Sequence, residues 1–416
     1  MKYVIIGVGS RGMTYGNWAK EHGIEIAAIA EIRSDRLTYA ATVWNVPREM
    51  CFTTPDELFA HGKIADAAII ATMDRDHYSH VMQALDCGYD ILLEKPISPS
   101  AEECLAVEEK ADRLGRKITV CHVLRYTPFY SRLKEIIDSG KLGKVVAIKH
   151  AENIGNFHMA HSFVRGNWRN DTLSSPIIMQ KSCHDLDILL WLTGAHCTRV
   201  ASFGSLSYFK ESNAPAGSTE RCLSCPVAPE CRFDAWKAYR PVLGKWPADV
   251  VCLEQNETAL RTALETGPYG RCVYRCDNNV CDHMSIIMEF DNDVTATFSL
   301  HAQSSDVHRE IQIHCEHGEI WGDDHKGKIQ VTHFIRNQAE PPVIEIYETT
   351  DYDKGHGGGD EGIMEDFTTS LSTENTDSRS SISRSVESHL MACAIEQARL
   401  SGTVVDMDCF RDSLAK

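Results

Sequence analysis

The stretch Tyr3-Val4-Ile5-Ile6-Gly7-Val8-Gly9-Ser10-Arg11-Gly12 decides the fold. A short β-branched run passes directly into a GxGxxG turn, and apolar residues then recur at helical spacing from Arg11 to Glu21. In that context each glycine has a physical task. Gly7 permits the tight turn, Gly9 lets backbone approach a pyrophosphate, and Gly12 allows the helix to pack close to the strand. Ser10 and Arg11 complete a helix N-terminus whose free N–H groups and positive dipole end suit phosphates. Glu31 closes the second strand, nineteen residues beyond Gly12. There a carboxylate would accept hydrogen bonds from ribose hydroxyls and repel a 2′-phosphate, which favours NAD over NADP; Arg33 and Arg36 nearby soften that preference.

Working outward, Glu25 to Ala30, Ala67 to Thr72, Asp90 to Leu93 and Ile118 to His122 read as further strands. Between them, His77 to Cys87 and Ser100 to Leu114 read as helices, the second opened by a capping box of Ser100 and Glu103. The pattern predicts an α/β chain whose residues 1–125 form a Rossmann, doubly wound parallel sheet with right-handed crossovers. Beyond residue 125 the strands lengthen and alternate: Lys144 to Glu152, Met284 to Phe290, Val294 to Ala302 and Glu310 to Cys315, with a turn at Asp291-Asn292-Asp293. Residues 126–416 are therefore expected to form an α+β domain with a mostly antiparallel open sheet. Helices are expected at Gln180 to Leu192, Ile363 to Leu371 and Val386 to Leu400, with a surface loop from Ser372 to Ser385.

Composition narrows the functional classes. With 416 residues, 43% of them hydrophobic, the chain can bury the cores of two domains. It has no apolar run of eighteen residues and no signal-like N-terminus, so the expected location is the cytoplasm. A formal charge of −17 without a concentrated basic surface argues against nucleic acid or anionic membrane as partner and leaves a small molecule. The sixteen cysteines are not a disulfide framework in that compartment. Cys51, Cys87, Cys104, Cys121 and Cys393 read as small core hydrophobes.

Leu93-Glu94-Lys95-Pro96, preceded by Ala71-Thr72-Met73-Asp74-Arg75-Asp76-His77, resembles the hallmark of the Gfo/Idh/MocA oxidoreductases, relatives of glucose-fructose oxidoreductase and inositol dehydrogenase. The resemblance covers essentially the whole chain. It implies that Lys95 lies beside the nicotinamide and the substrate, with Thr72, Asp74, His77 and Glu94 on the cofactor side. The carboxyl end of a parallel strand is also where open α/β sheets bind ligands. A second stretch, Lys181-Ser182-Cys183-His184-Asp185-Leu186-Asp187, puts Lys181, His184 and Asp187 at spacings of three on one helical face. The resemblance makes His184 the acid/base residue; a core histidine satisfied by Asp187 is the alternative. Many members of the family carry an aspartate four residues before this histidine, where this chain has Gln180. The usual Asp-His pairing is thus in doubt, and Lys181 is expected to share the chemistry with Lys95, His184 and Tyr126.

A substrate surface is expected from Arg125, His158, His161, Arg165, Trp168, Arg169 and Asp187, because arginines grip anionic groups and aromatic faces stack on sugar C–H surfaces. The segment Gly355-His356-Gly357-Gly358-Gly359-Asp360 either lines the pocket or is a flexible helix start capped by Asp360. A third cluster, Cys222, Cys225, Cys231 and Cys272, has the spacing of a structural zinc site, which would staple an insertion at about 211–283. Iron–sulfur ligation and unligated thiols are the alternatives.

These observations point to an NAD-dependent oxidoreductase acting on a secondary hydroxyl of a sugar, glycoside or cyclitol. The alternative is an NAD-dependent glycosidase that oxidises a ring carbon transiently, eliminates the aglycone and restores the hydride. A non-enzymatic NAD sensor or scaffold is a third reading, which Lys95 and His184 argue against. The family resemblance further implies a homodimer or homotetramer.

Overall fold

The first sheet of the computed structural model, which describes residues 1–350, 355–373 and 378–414, is parallel throughout. Its strands are β1 (Lys2–Ile6), β2 (Glu25–Ala30), β3 (Cys51–Phe52), β4 (Ala67–Ile70), β5 (Asp90–Leu93) and β6 (Ile118–Val120). They run in the order β3-β2-β1-β4-β5-β6. That is the doubly wound Rossmann order, with the change of direction between β1 and β4. Both faces are covered, and the strands are accordingly near-continuous apolar runs; Val4, Ile5, Ile6, Ala68, Ile69 and Ile70 are fully buried. β3 and the helices Ser34–Trp44 and Pro55–Phe59 were not anticipated. β3 is two residues long and the Pro55–Phe59 helix barely a turn, too short for periodicity to register. Ser100 caps the helix Ala101–Leu114 by accepting from the Glu103 N–H, but the Glu103 carboxylate turns to the Ser98 hydroxyl, so the capping box is half formed.

The second sheet has nine strands. These are β7 (Val145–Asn153), β8 (Cys197–Ser205), β9 (His283–Phe290), β10 (Thr295–His301), β11 (His308–Cys315), β12 (Gly318–Asp323), β13 (Lys328–His333), β14 (Val343–Glu348) and β15 (Val405–Asp406). Their order is β14-β13-β12-β11-β7-β10-β9-β8-β15, antiparallel except for the β10–β7 pair. Asp293 takes a left-handed φ of +66° in the β9–β10 turn. One face of the sheet packs on helices through Met284, Ile286, Met288, Phe298, Ile311 and Ile313, while Phe203, Ile287 and Trp321 stay exposed on the other.

Three expectations change. The helix expected from Gln180 to Leu192 is two: Ile177–Gln180, then Cys183–Thr193, with Lys181 and Ser182 in the break. Lys181 therefore does not share a helical face with His184. Of the segment read as a surface loop, 374–377 lie outside the described residues. Ser378, Ser380 and Ser381 are buried, and Ser380 O accepts from Val120 N at the edge of the first sheet. Polarity misled there, because hydroxyl-rich chain can be buried once its backbone is paired. Finally, Cys104 and Cys121 are buried, but Cys51, Cys87 and Cys393 are only partly covered.

Two late helices tie the sheets together. Gly359–Ser372 buries Ile363, Met364 and Phe367 in one cluster with Tyr3, Ile5 and Ile29 of the first sheet. Ile382–Ser401 packs against the helices Ala101–Leu114 and Cys183–Thr193 and against β8.

Candidate active site

Between the carboxyl ends of β1 and β4, the glycine turn is shaped as the sequence requires. Gly7 has φ +86°, and a Cβ there would sit 2.6 Å from Ala71 O; at Gly12 one would sit 2.0 Å from Gly7 O. Gly9 differs: a Cβ there would meet nothing within 4 Å among the described residues, so the backbone faces open space. The helix Ser10–Glu21 that follows has no side-chain cap and no acidic residue in its first turn among the described residues. Its N–H groups are left for an anion. Glu31 accepts from Val8 N and Arg33 N, each at 2.9 Å, which holds its carboxylate at the end of β2 with lone pairs to spare for ribose hydroxyls.

Arg11, expected at the cofactor, already has protein partners. Its guanidinium pairs with Glu94 at 2.7 Å and with Asp360 at 2.7 Å, and Tyr15 donates to the same Glu94 oxygen. Burial pushes the Glu94 carboxyl up, but Arg11 and Lys95 outweigh it and hold it below its ordinary value. The first turn of the glycine-loop helix, the strand end that carries Lys95 and the first turn of the helix Gly359–Ser372 are thus one charged knot.

Thr72, Asp74 and His77 also have protein partners. His77 bridges the carbonyls of Pro96 (2.6 Å) and Thr72 (3.2 Å), and the Thr72 hydroxyl meets His80 Nδ1 at 3.0 Å. Asp74 is buried and accepts from Trp168 Nε1, Ser174 Oγ and Ser175 Oγ at 3.1, 2.7 and 2.6 Å. This is a clamp between the two sheets' territories, in which Trp168 serves as a tie while keeping part of its ring exposed.

Across the crevice, Lys95 Nζ donates to Gln180 O at 2.6 Å, directly before the Lys181–Ser182 break. His184 stands one residue into the next helix. It is buried, its Nδ1 has no partner among the described residues, and its ring lies 5.8 Å from that of His122. Burial, then the Lys95 charge, push its pKa well down and keep it neutral. Asp187 does not satisfy it. Both Asp187 oxygens are gripped by Arg125 at 2.7 Å, in a buried bidentate pair that also reaches Arg379 O. Tyr126, expected to be catalytic, donates to Asp366 at 2.8 Å and meets Ser380 at 3.0 Å. Burial, then Asp366, raise its pKa, so the phenol stays protonated as a tie between elements. Arg125, Tyr126 and Asp187 therefore hold the scaffold behind the cleft.

Lys181 pairs with Glu152 at 3.2 Å, and Arg309 joins Glu152 (2.5 Å) to Asp185 (2.8 Å), whose same oxygen meets His150 at 2.8 Å. Burial pushes Lys181 down, the direction that lets an amine give up a proton. Sequence reading missed Glu152, Asp185 and Arg309, because the pairs join residues that only the second sheet brings together. His158 is half-buried, its ring 5.1 Å from that of Trp246, a cleft-side aromatic from the insertion that was also missed.

His161 and Arg165, expected at the substrate, are held by residues of the insertion. His161 stacks on Tyr269 at 4.7 Å and meets the Tyr239 hydroxyl at 3.0 Å. Arg165 donates to Arg271 O, Phe233 O and Cys222 Sγ, and Arg169 pairs with Asp277. The zinc expectation finds no support here. Cys222, Cys225, Cys231 and Cys272 line one small cavity with Arg165 and Phe233. Yet among the described residues no group of three His, Cys, Asp or Glu side chains is arranged to hold a metal ion. The Cys222 thiol is turned to the Phe233 and Arg271 carbonyls. The insertion also has an apolar cluster of its own, Cys222, Ala235, Tyr239, Ala248, Leu260 and Leu264, that the sequence periodicity did not reveal. Among the described residues no helix is long and apolar enough to cross a membrane.

Comparison with known proteins agrees with this geometry. The oxidoreductase-family NAD-binding Rossmann fold of the Gfo/Idh/MocA type matches residues 1–122, and that family's C-terminal alpha/beta domain matches residues 134–407. The chain is 25% identical over 322 residues to a Bacillus subtilis protein, YteT, named as an oxidoreductase, covering 75% of this chain and 74% of that one. It is 27% identical over 204 residues to an inositol 2-dehydrogenase of Corynebacterium glutamicum, covering 47% of this chain and 55% of that enzyme. Among solved structures, scyllo-inositol dehydrogenase from Lactobacillus casei with NAD(H) and scyllo-inositol shares the fold at TM-score 0.67 and 18% identity, covering 98% and 99% of the two chains. An NAD-binding oxidoreductase from Klebsiella pneumoniae does so at TM-score 0.71 and 15% identity, with the same coverage.

Proposed function

The chain belongs to the Gfo/Idh/MocA family of oxidoreductases, and on that premise we propose that it is an NAD-dependent dehydrogenase of a secondary hydroxyl on a sugar or cyclitol. The observation that carries this reading is the position of Lys95: its ammonium crosses the crevice to Gln180 O, within the segment that leads into His184, beside a glycine turn open to an anion. When bound, NAD supplies the hydride acceptor or donor at its nicotinamide ring. The protein's part is to place a hydroxyl among Lys95, Lys181 and His184. The Lys95 ammonium steadies the developing alkoxide, while the neutral His184 ring can hydrogen-bond the same oxygen. Glu31 supports NAD over NADP through its carboxylate. The exposed outer face of the second sheet, with Phe203, Ile287 and Trp321, supports assembly as a dimer or tetramer.

The test is a panel of myo-inositol, scyllo-inositol, free hexoses, sugar acids and glycosides, each incubated with protein and NAD while NADH absorbance and reducing-sugar release are followed together. NADH growth with at least one polyol supports the reading. No NADH from any of them would overturn it, and sugar release without net NADH would point to the redox-neutral glycosidase.

A further inference from the structure

Three consecutive residues before the helix Gly359–Ser372 take left-handed backbone: His356 at φ +46°, Gly357 at +62° and Gly358 at +83°. Glycine does this freely; a histidine rarely does, and such positions persist where the surroundings over-determine them. The next glycine explains how the segment is held. A Cβ on Gly359 would sit 2.2 Å from Val123 O, so the chain presses directly onto the turn that carries Arg125 and Tyr126. The result is an imidazole 44% exposed at the cleft, its ring centroid 6.4 Å from that of His184. One hydroxyl oxygen can hydrogen-bond across such a gap.

The two imidazoles differ in what holds Nδ1. In His184 that atom is buried without a partner among the described residues. In His356 it lies 3.1 Å from Asp360 Oδ2. Arg11 Nη1 is 3.4 Å away, but a guanidinium only donates, and it donates to Asp360 as well. The nearer partner, at 3.1 Å, is the Asp360 carboxylate, which accepts from an Nδ1–H tautomer of His356, and that tautomer leaves the Nε2 lone pair free. Carboxylate, imidazole and open nitrogen form the arrangement in which a histidine takes a proton and the carboxylate stabilises the cation.

Resting on the dehydrogenase reading above, we infer that His356, oriented by Asp360, is the group that accepts the substrate's hydroxyl proton, doing the work for which His184 lacks a carboxylate in this chain. The O–H bond breaks with its proton passing to His356 Nε2. The adjacent C–H bond breaks with its electron pair leaving as hydride to NAD, and the carbonyl forms between them; reduction runs the same path backwards. The charged and titratable groups facing His356 are Arg11 from the first helix, Asp360 in the first turn of the helix that follows it, His184 across the gap and, within electrostatic reach, His158. Nearby cations would burden His184 or His158 if either took the proton: Lys95 and Arg309 bear on His184, and Lys181 and Lys95 on His158. His356 also has a cation near it, Arg11, but that guanidinium is paired with Asp360 and Glu94, and His356 has a carboxylate and solvent besides.

The experiment uses the full chain, the best polyol of the panel and saturating NAD. His356→Gln should lower kcat by about 10²- to 10⁴-fold, leave NAD affinity in a fluorescence titration within about two-fold of wild type, and flatten the fall in kcat toward acid pH. His356→Ala should recover turnover on addition of free imidazole, which a packing defect would not do. Wild-type kcat and pH profile in His356→Gln, or no imidazole rescue, would overturn the inference while leaving the dehydrogenase reading intact. If wild type turns over no polyol, that reading fails and the proton-acceptor role falls with it; nitrogen-15 spectroscopy of the ring tests the orientation by Asp360 separately. An Nδ1–H tautomer of His356 that is lost in Asp360→Asn supports it; an Nε2–H tautomer in wild type overturns it.

Discussion

Two charged clusters flank the cleft, and they are built to opposite ends. Arg11, Glu94, Asp360 and His356 sit at the rim, with Arg11 24% and His356 44% exposed, and join segments that a bound molecule would contact. Arg309, Asp185, Glu152 and His150 sit inside the second layer, where both carboxylates are fully buried. The inner cluster balances two cations, Arg309 and Lys181, against two carboxylates, so its charges are tolerable only together. The rim cluster keeps one member on solvent. The difference separates scaffold from chemistry: a sealed network fixes the helix that carries His184, whereas the open one can change its protonation during a reaction.

The largest effect expected to sharpen that contrast is on turnover. On the proposed reading, replacing Lys95 by Met should reduce kcat by at least about 10²-fold, with an unchanged urea midpoint, because the one hydrogen bond its ammonium makes among the described residues is to the Gln180 carbonyl. A comparable loss of stability would mean that Lys95 belongs to the scaffold.

The next effect is on folding. Arg309→Met strands Glu152 and Asp185 without their main cation and should cost about 3–5 kcal/mol in urea unfolding. Lys181→Met removes the cleft-ward end of the same network and should cost less, about 1–3 kcal/mol. Equal losses from the two would erase the distinction between sealed core and rim.

Acid titration probes the comparison from the other side. Burial pushes the Asp185 carboxyl up, but Arg309 and His150 bring it down to about 2. A depressed carboxylate stabilises the fold above its unfolded pKa, about 4. The contribution is lost as pH falls from about 4 through about 2. His389 and His161 behave differently. Burial lowers each to about 3, so the unfolded chain takes up protons first, and stability declines as pH drops from about 6.5 toward about 3. The urea midpoint should therefore begin to fall below about pH 6.5, and His161→Gln should remove part of that fall. A midpoint flat down to pH 4 would contradict the burial of these imidazoles.

The smallest effect concerns the tie between the layers. Trp168→Phe removes the donor to Asp74 but leaves Ser174 and Ser175 in place, and should cost about 1–2 kcal/mol with little change in NAD affinity.

Local chemistry was legible in the sequence wherever partners are near in the chain. The glycine turn, the strands that flank it and the acid at Glu31 could be read because a strand–turn–helix sets its own geometry within some thirty residues, while the lysine before Pro96 was read from the family resemblance. The roles of Arg125, Tyr126, Arg165 and Asp187 could not. Their side chains looked suited to a substrate, but Arg125 finds Asp187 62 positions away and Tyr126 finds Asp366 240 away. A polar residue type announces a need for a partner without saying whether protein or ligand will supply it.

The same holds for the cysteines, where spacing suggested a metal and packing turned one thiol to backbone carbonyls. The sequence alone determined the class of this protein: a dinucleotide-binding sheet followed by a mixed second sheet, with Lys95 and His184 at their junction. Tertiary structure decided which titratable groups face the cleft and which are sealed. That choice depends on pairings across hundreds of residues, such as Arg11 with Asp360, whose energy exists only after both layers have closed.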